Sequence, residues 1–500
     1  MGLVTPVATV PVGELGRVHF VGLGGAGMSG IARILLARGV AVSGSDQAAS
    51  AQLDELAALG AVVHVGHAAE SVDEADTVVT TPSAIRPDNP ELVEARRRGI
   101  RIVPRAAVLA SIMLGKQGIA VAGTHGKTTT TSMLTTVLRH CGADPSYVIG
   151  GILAETGLGA GDGTGELFVA EADESDGSFL MLAPRAAVVT CIEAEHLDNY
   201  ENLAQIEATF AAFAGKICPG GLLVACRDDP GAAALAAAAA ALPVRVRTYG
   251  ESEDADYRLT GVTGLGMATR LTVTPRVREL PRPADGVGSP DGHAGRAGEP
   301  DVPPGPVTLT IEVPGRHNAL NAAAALATAV ELGVPARSAA RGLAAYRGAQ
   351  RRMELKGEVE GVRVLDSYAH HPTELAADLT AARDIATGGR VIAVFQPHLY
   401  SRTRIFAAEF GAALGLADEA LVLDVYAARE DPEPGVTGMI VAAEVPGGRA
   451  RFVPDAAAVP DAIAGLAKPG DLVLTMGAGD VTALGPKIMA ALRERDGAGR

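Results

Sequence analysis

The sequence predicts an α/β protein of three successive domains, each built on a mainly parallel sheet. Short apolar runs of strand length alternate with stretches of helical length along nearly the whole chain, as strands joined by crossover helices do. The motifs riding on that rhythm change near Gln117 and again near Ala349, so three different domains follow one another and no tandem repeat is present. The expected boundaries are 1–117, 118–348 and 349–500. A chain of 500 residues is too long for one core, and an apolar content of 48% is ample for several.

In the first domain RVHFVGLG (17–24) reads as a strand that empties into a glycine turn. Met28–Arg38 reads as a helix, and Val40–Ser43, Ala61–Val65, Thr77–Thr80 and Ile100–Val103 as further strands. The second domain opens with the apolar run Ile119–Ala122, which leads into Gly123-Thr124-His125-Gly126-Lys127-Thr128 and then a helical stretch, Thr129–His140. Leu167–Ala170, Ala187–Thr190 and Gly221–Ala225 are its later strands, and the alanine-rich Asp228–Leu242 is a plain packed helix. Residues 279–308, rich in Pro and Gly, read as an exposed loop or flexible insertion. Val307–Val313 returns as a strand, and GRHNALNAAAALATAVELG as a turn feeding a long helix. VRVLDSYAHHPTELAADL, RVIAVFQPH, EALVLDVY and DLVLTMGAGD mark the third domain.

Composition narrows the function. A formal net charge of −15 argues against general DNA or RNA binding, though not against a local cationic site for an anionic metabolite. Cys141, Cys191, Cys218 and Cys226 form no C-x-x-C pair and read as reduced thiols of a cytoplasmic protein, not as a disulfide frame or a zinc site. The N-terminal MGLVTPVATV lacks a basic flank and a long apolar core, and no unbroken apolar run is long enough to cross a bilayer, so export and membrane insertion are not expected.

The strand–turn–helix at 119–140 points to polyphosphate. Backbone N–H groups of a tight glycine turn and a helix start can wrap phosphates, while Lys127 supplies a point charge and Thr128 a hydroxyl for Mg²⁺. Val121 stands where G-x-x-x-x-G-K-T has its first glycine, so the motif is a variant. Thr129 and Thr130 can help hold the metal or cap the helix, with capping preferred for Thr130. Gly22-Leu23-Gly24-Gly25-Ala26-Gly27 fits G-x-G-x-x-G, with Asp46 at the end of the next strand to accept from a ribose or a base N–H. That spacing does not choose nicotinamide over a sugar nucleotide. In VAEADESDGSF a strand delivers Glu171, Asp173, Glu174 and Asp176 to its C-terminal end, where crowded carboxylates call for a cation; Glu174 is the preferred metal ligand. His196 in TCIEAEHLDNY can join it, with Asp198 supporting the ring.

Other residues stay open on pattern alone. Asn318 and Asn321 share one face at a helix start and fit either adenine recognition or a cap. Arg351-Arg352 fits a transferring phosphate or a solvated hinge. Pro372 and Glu374 suit a first helical turn. Asp366 can hold a ribose, Tyr368 lies beside it, and His370 and Arg402 can guide a carboxylate or developing phosphate charge. No Ser–His–Asp order or G-x-S-x-G element is present, so covalent serine hydrolysis is unsupported.

Taken in order, GLGGAGMSGIA, SGSD, TPSAIRPDNPE, GTHGKTTTTSM, EADESDGSF, EAEHLDNY, GRHNALNA, RRMELKG, DSYAHHPTE, FQPHLYSRT and MGAGD resemble the motifs of the Mur ligase family, from Gly22 to Asp480. The resemblance implies a Rossmann-like N-terminal domain for UDP-N-acetylmuramate, a P-loop ATPase-like central domain and a Rossmann-like C-terminal domain. It implies that L-alanine is joined to the lactyl carboxylate of that sugar nucleotide through an acyl phosphate, with ATP and Mg²⁺, in a cytoplasmic monomer or homodimer. Gly22, Gly24, Gly25, Ala26, Gly27 and Asp46 would then bind the uridine diphosphate. Gly123, Thr124, His125, Gly126, Lys127, Thr128 and Thr129 would cradle ATP, with Asn318 at its adenine, Asp366 at its ribose and Arg352 at its phosphate. Thr128, Glu174 and His196 would hold the metal, and Tyr368, His370 and Arg402 would surround L-alanine. Lys127, Glu174, His196, Arg352 and His370 are the implied catalytic set.

The chain departs from the family pattern at four places. Cys191 stands for asparagine, Glu195 for aspartate, Ala369 for glycine, and Leu399 for one of two basic residues near the amino-acid carboxylate. Relatives that add later peptide residues carry a carboxylated lysine whose aligned position falls near Phe210, so Lys216 is not assigned that role. The rival readings are a ligase for a preformed murein tripeptide, a nicotinamide oxidoreductase and a non-catalytic ATP switch.

Overall fold

The computed structural model describes residues 3–82, 84–276 and 305–497. Most of the insertion expected at 279–308 lies outside the described residues. The described parts of the chain form two compact units, one from Met1–Thr260, Thr272–Leu309 and Leu320–Tyr346, the other from Gly261–Leu271, Thr310–Ala319 and Arg347–Arg500. They carry three sheets.

The first sheet contains β1 (Val18–Val21), β2 (Val42–Asp46), β3 (Val62–Val65), β4 (Thr77–Thr80) and β5 (Arg101–Pro104) in the order β3-β2-β1-β4-β5. All its pairings are parallel. The chain runs outward from β1 to one side and then to the other, so β1 marks the point where the strand order reverses, and ligands bind outside the carboxyl ends at such points. The turn at 22–27 leaves β1 there, and the helix Ala26–Ala37 begins within it.

The second sheet holds β6 (Gln117–Ala122), β7 (Ser146–Val148), β8 (Ala160–Gly161), β9 (Leu167–Glu171), β10 (Ala186–Val189), β11 (Leu222–Cys226), β12 (Arg245–Gly250), β13 (Tyr257–Leu265), β14 (Ala268–Pro275) and β15 (Val307–Ile311). Its order is β15-β14-β13-β12-β11-β10-β6-β9-β7-β8. From β12 to β7 the pairing is parallel, and only β7–β8 at that edge is antiparallel. β6 again lies where the order reverses, between β9 and β10. Buried on both faces, β6, β9, β10 and β11 are continuous apolar runs, as central parallel strands must be.

The helix after β6 runs Lys127–His140, two residues longer at its start than expected, because Gly126 at φ +80 is the last non-helical residue. Thr128 to Leu138 are all buried, so packing outweighs the weak helix propensity of four consecutive threonines. Thr131 Oγ1 also donates to Lys127 O at 2.8 Å. The capping role expected of Thr130 is not found: it lies inside the helix, and its hydroxyl donates to Asn321 Oδ1 at 3.2 Å. The alanine-rich Asp228–Leu242 stretch is a helix over Pro230–Ala239, capped by Asp229, whose side chain accepts from Ala232 N.

The third sheet holds β16 (Glu354–Val359), β17 (Val362–Ser367), β18 (Val391–Phe395), β19 (Glu419–Val422), β20 (Ala450–Phe452) and β21 (Leu472–Met476) in the order β16-β17-β21-β18-β19-β20. Only β16–β17 is antiparallel. The helix Pro372–Ala386 starts as expected, with Pro372 in its first turn and Glu374 accepting from His370 N at 3.0 Å.

Aromatic side chains are few, 9 Phe and 8 Tyr, and where they cluster they matter. Phe179 stacks on Phe213 at 4.5 Å and meets Phe210 edge-on at 5.3 Å. Phe210 is fully buried, while Lys216 is exposed. Phe210→Ala is expected to cost about 3–5 kcal/mol of unfolding free energy, read by urea denaturation.

Candidate active site

The glycine turn at 22–27 is shaped by close approach. Gly22 has φ +85, and Gly24 N–H donates to Asp46 Oδ2 at 2.9 Å. A Cβ on Gly24 would stand 2.9 Å from that same oxygen, and one on Gly27 would stand 2.5 Å from Arg105 Nη1. The N-cap of the following helix is Gly25, with Ala26 as its first residue, and no side chain caps it. Thr80, at the end of β4, adds a buried hydroxyl without a hydrogen-bond partner among the described residues.

Arg105 links this turn to the acidic segment after β9: its Nη2 donates to Asp173 Oδ2 at 3.1 Å. Burial would raise the Asp173 pKa, but the Arg105 and Lys127 charges prevail and hold it at about 2. Sequence reasoning missed Arg105, because an arginine after a strand carries no motif of its own.

In the phosphate loop, Gly123 at φ +130 and Gly126 at φ +80 allow tight turns. A Cβ on Gly126 would come within 2.6 Å of Asn321 Oδ1. Thr124 Oγ1 accepts from Glu193 N at 2.9 Å, and His125 N–H donates to Cys191 Sγ at 3.2 Å. His125 Nε2 lies 3.4 Å from Glu193 Oε2. Lys127 Nζ donates to Gly123 O (2.7 Å), Thr124 O (3.1 Å) and Glu174 Oε1 (2.8 Å). Burial opposes its charge, yet the Glu174 and Asp173 carboxylates raise its pKa well above the ordinary lysine value. Thr129 is buried in the first helical turn.

Two groups of metal-type donors result. Thr128 Oγ1 donates to Glu171 Oε1 at 3.2 Å, and Gly150 N–H holds the other oxygen of Glu171 at 2.8 Å. Glu171 is therefore the carboxylate beside Thr128. Glu174 instead joins His196 and Glu195: one ligand atom from each lies within 4.8 Å of the others. His196 Nε2 is 3.6 Å from Glu174 Oε1 and 3.8 Å from Glu195 Oε2. His196 has φ +54, a costly conformation for a non-glycine residue that sets its ring toward this group. Glu174 Oε2 is buried and accepts no hydrogen bond among the described residues, an orphan that suits a hard cation.

The second unit carries its own constellation. Asp366, fully buried at the end of β17, accepts from Thr475 Oγ1 and Thr482 Oγ1, each at 2.7 Å, and lies 3.4 Å from Arg351 Nε. Arg351 has φ +59, donates to Gly477 O at 2.6 Å, and stands 4.7 Å over the Tyr368 ring. Arg352 also covers that ring, at 5.3 Å, and lies 3.9 Å from Glu374. His370 Nδ1 is 3.0 Å from Tyr368 O and 3.2 Å from Glu374 Oε2. Arg402 Nη1 is 3.4 Å from His398 Nδ1. Asn318 is buried in the first turn of the helix Arg316–Glu331, where its Nδ2 donates to Pro314 O at 2.7 Å.

Comparison with known proteins matches all three parts of the chain to one family. Residues 17–117 match the profile described as Mur ligase family, catalytic domain; residues 121–280 the Mur ligase middle domain; and residues 351–479 the Mur ligase, glutamate ligase domain. A UDP-N-acetylmuramate–L-alanine ligase of Thermobifida fusca is 56% identical over 98% of this chain and 100% of its own length. The chain belongs to the Mur ligase family.

Two solved structures extend the comparison. A UDP-N-acetylmuramate-alanine ligase from Thermotoga maritima aligns with TM-score 0.77 and 28% identity, over 96% of this chain and 99% of that one. A murein peptide ligase from Psychrobacter arcticus aligns with TM-score 0.68 and 23% identity, over 95% and 98%, a likeness of fold. This Mur ligase has the three-domain α/β fold, Rossmann-like at both ends with a P-loop ATPase-like centre. Asp366→Ala in this Mur ligase removes the acceptor of Thr482 Oγ1, the shorter of the two acceptors of Thr475 Oγ1 and the carboxylate that faces the Arg351 guanidinium. It is expected to lower unfolding free energy by about 3 kcal/mol, read by chemical denaturation, with a smaller loss for Asp366→Asn.

Proposed function

We propose that this Mur ligase joins L-alanine to the lactyl carboxylate of UDP-N-acetylmuramate, with conversion of ATP to ADP and phosphate, in peptidoglycan precursor synthesis. The observation that carries the reading is the 56% identity, over essentially full length, to a ligase of that name. The geometry agrees with it: an anion-binding loop with a held lysine, beside carboxylates and a glycine turn of the pyrophosphate-binding type, suits phosphoryl transfer to a carboxylate.

A carboxylate is a poor acyl donor because its oxygen leaves poorly. Transfer of the γ-phosphoryl group of ATP to it gives an acyl phosphate and ADP. The neutral amine of L-alanine then attacks the carbonyl carbon, and the tetrahedral intermediate expels phosphate to leave an amide. Lys127 supplies positive charge to the phosphoryl oxygens, and the N–H groups of Gly123 to Thr129 line the loop around them. Mg²⁺ suits the two oxygen-rich groups, Thr128 with Glu171 and Glu174 with Glu195 and His196, where it would neutralise phosphate charge. Gly22, Gly24, Gly25, Ala26, Gly27 and Asp46 serve the uridine diphosphate. Asn318 serves adenine, Asp366 the ribose, and Arg352 the transferring phosphate. Tyr368, His370 and Arg402 serve the amino acid.

Domain limits at 117/118 and 348/349 fit this division of labour. No described helix is long and apolar enough to cross a membrane. Cytoplasmic ATP and sugar nucleotide place the enzyme there, as a monomer or homodimer.

The test supplies UDP-N-acetylmuramate, ATP and Mg²⁺ with either L-alanine or a murein tripeptide, and measures amide product and phosphate. L-alanine is expected to give stoichiometric amide and phosphate, and EDTA to stop both. Preference for the tripeptide, phosphate without amide, or hydride transfer to a nicotinamide would each overturn the reading. Lys127→Ala is expected to lower turnover by at least about 10²-fold. Binding of the sugar nucleotide, followed by calorimetry, should stay within a factor of about two.

A further inference from the structure

After β18 the chain turns through Gln396-Pro397-His398-Leu399 into the helix Tyr400–Ile405, and a second loop is zipped onto this turn. Tyr426 N–H donates to Pro397 O at 2.8 Å, and Leu399 N–H to Tyr426 O at 3.0 Å. His398 and Tyr426 form a parallel bridge, with their rings stacked 5.8 Å apart at 13°. Farther along, Glu430 accepts from both the N–H of Ser401, at 2.9 Å, and its hydroxyl, while Arg404 Nε meets Glu433 Oε1 at 3.0 Å. Residue 429 is thus fixed between two anchors, Tyr426 and Glu430. Ala428, with φ +50, bends the chain sharply just before it.

Arg402 reaches the same histidine from the helix side, 7% exposed and with Nη1 3.4 Å from His398 Nδ1. Burial, and then the positive charges of His370, Arg402, Arg429 and Arg351, push the His398 ring down to about 3, so it is neutral at physiological pH. The anchors at Tyr426 and Glu430 hold residue 429 beside the turn that carries His398 and the helix that carries Arg402. Leu399, where family resemblance leads one to expect a basic side chain, is buried and adds no charge.

We propose that Arg429, from the loop after β19, pairs with Arg402 to hold the α-carboxylate of the amino-acid substrate, a role that rests on the amide-ligase function proposed above. A guanidinium presents a planar fork that matches a carboxylate, and two such forks fix both its position and its orientation. His398, neutral and stacked on Tyr426, spaces the two guanidiniums without adding a third full charge. The amine of the same amino acid is then left free to face the acyl group.

Steady-state kinetics of Arg429→Ala, Arg429→Lys and the double variant Arg429→Ala/Leu399→Arg test the assignment, with L-alanine and the carboxylate-free probe L-alaninamide as alternative amine donors. Arg429→Ala is expected to raise KM for L-alanine roughly 10- to 100-fold, the scale of one charge-assisted hydrogen-bond pair. KM for ATP and for UDP-N-acetylmuramate should stay within about twofold, and the preference for L-alanine over L-alaninamide should shrink by the same factor as the L-alanine KM rises. Arg429→Lys should fall between, and Leu399→Arg should recover part of the loss. A KM for L-alanine within twofold of wild type, an unchanged preference over L-alaninamide, or a parallel rise in all three KM values would overturn the assignment while leaving the ligase reading intact. Wild-type enzyme that makes no amide from L-alanine would overturn the ligase reading, and this assignment with it.

Discussion

A largely desolvated ammonium must be neutralised, and around Lys127, part-buried at the start of its helix, that requirement organises the phosphate loop. Two loop carbonyls and the Glu174 carboxylate surround Nζ at 2.7–3.1 Å, so the backbone of Gly123 and Thr124 is pulled in toward the side chain. The loop can curl this tightly because Gly123 and Gly126 take positive φ, and because Asn321 fills the space where a Cβ on Gly126 would stand. Glu174 in turn draws His196 near, and Asp173 is tied to Arg105. One charge thus connects the helix Lys127–His140, the end of β9 and, through Asp173 and Arg105, the glycine turn at 22–27.

The two units use the same device at different strand ends. Asp366 at the end of β17 is the mirror of Lys127: a buried anion satisfied by two hydroxyls and an arginine, where the first unit has a part-buried cation satisfied by carbonyls and a carboxylate. Each depends on side chains contributed by segments far apart in sequence. Thr475 and Thr482 lie more than a hundred residues from Asp366, and Glu174 lies 47 residues from Lys127.

Much of this was legible in the chain because open parallel sheets place function at their carboxyl ends, and those ends are marked by glycine turns following apolar runs. Thr77–Thr80 was read to the residue, and β3, β5, β6, β9, β10, β11 and β15 to within one or two, whereas β7, β8, β12, β13, β14, β16 and β20 were not read at all. The helix Lys127–His140 was read as starting too late, since propensity cannot show that Gly126 already holds the last left-handed angle. Thr130 resembles a cap in sequence, yet tertiary packing gives it Asn321 as partner. Glu171 and Glu174 were seen as one acidic cluster. Only side-chain geometry separates the carboxylate at Thr128 from the carboxylate at Lys127. Arg105 and Arg429 carried no signal, because each acts through a neighbour distant in sequence.

Cys191 is the one thiol set against the phosphate loop, with Sγ receiving the His125 N–H at 3.2 Å. Burial, against the pull of His125, pushes its pKa up to about 11. At neutral pH that leaves on the order of one molecule in ten thousand with a thiolate, the form that reacts with electrophiles and oxidants. Its sulfur therefore serves as a hydrogen-bond acceptor of low nucleophilicity. Nearness to the loop therefore gives this cysteine no raised thiolate population.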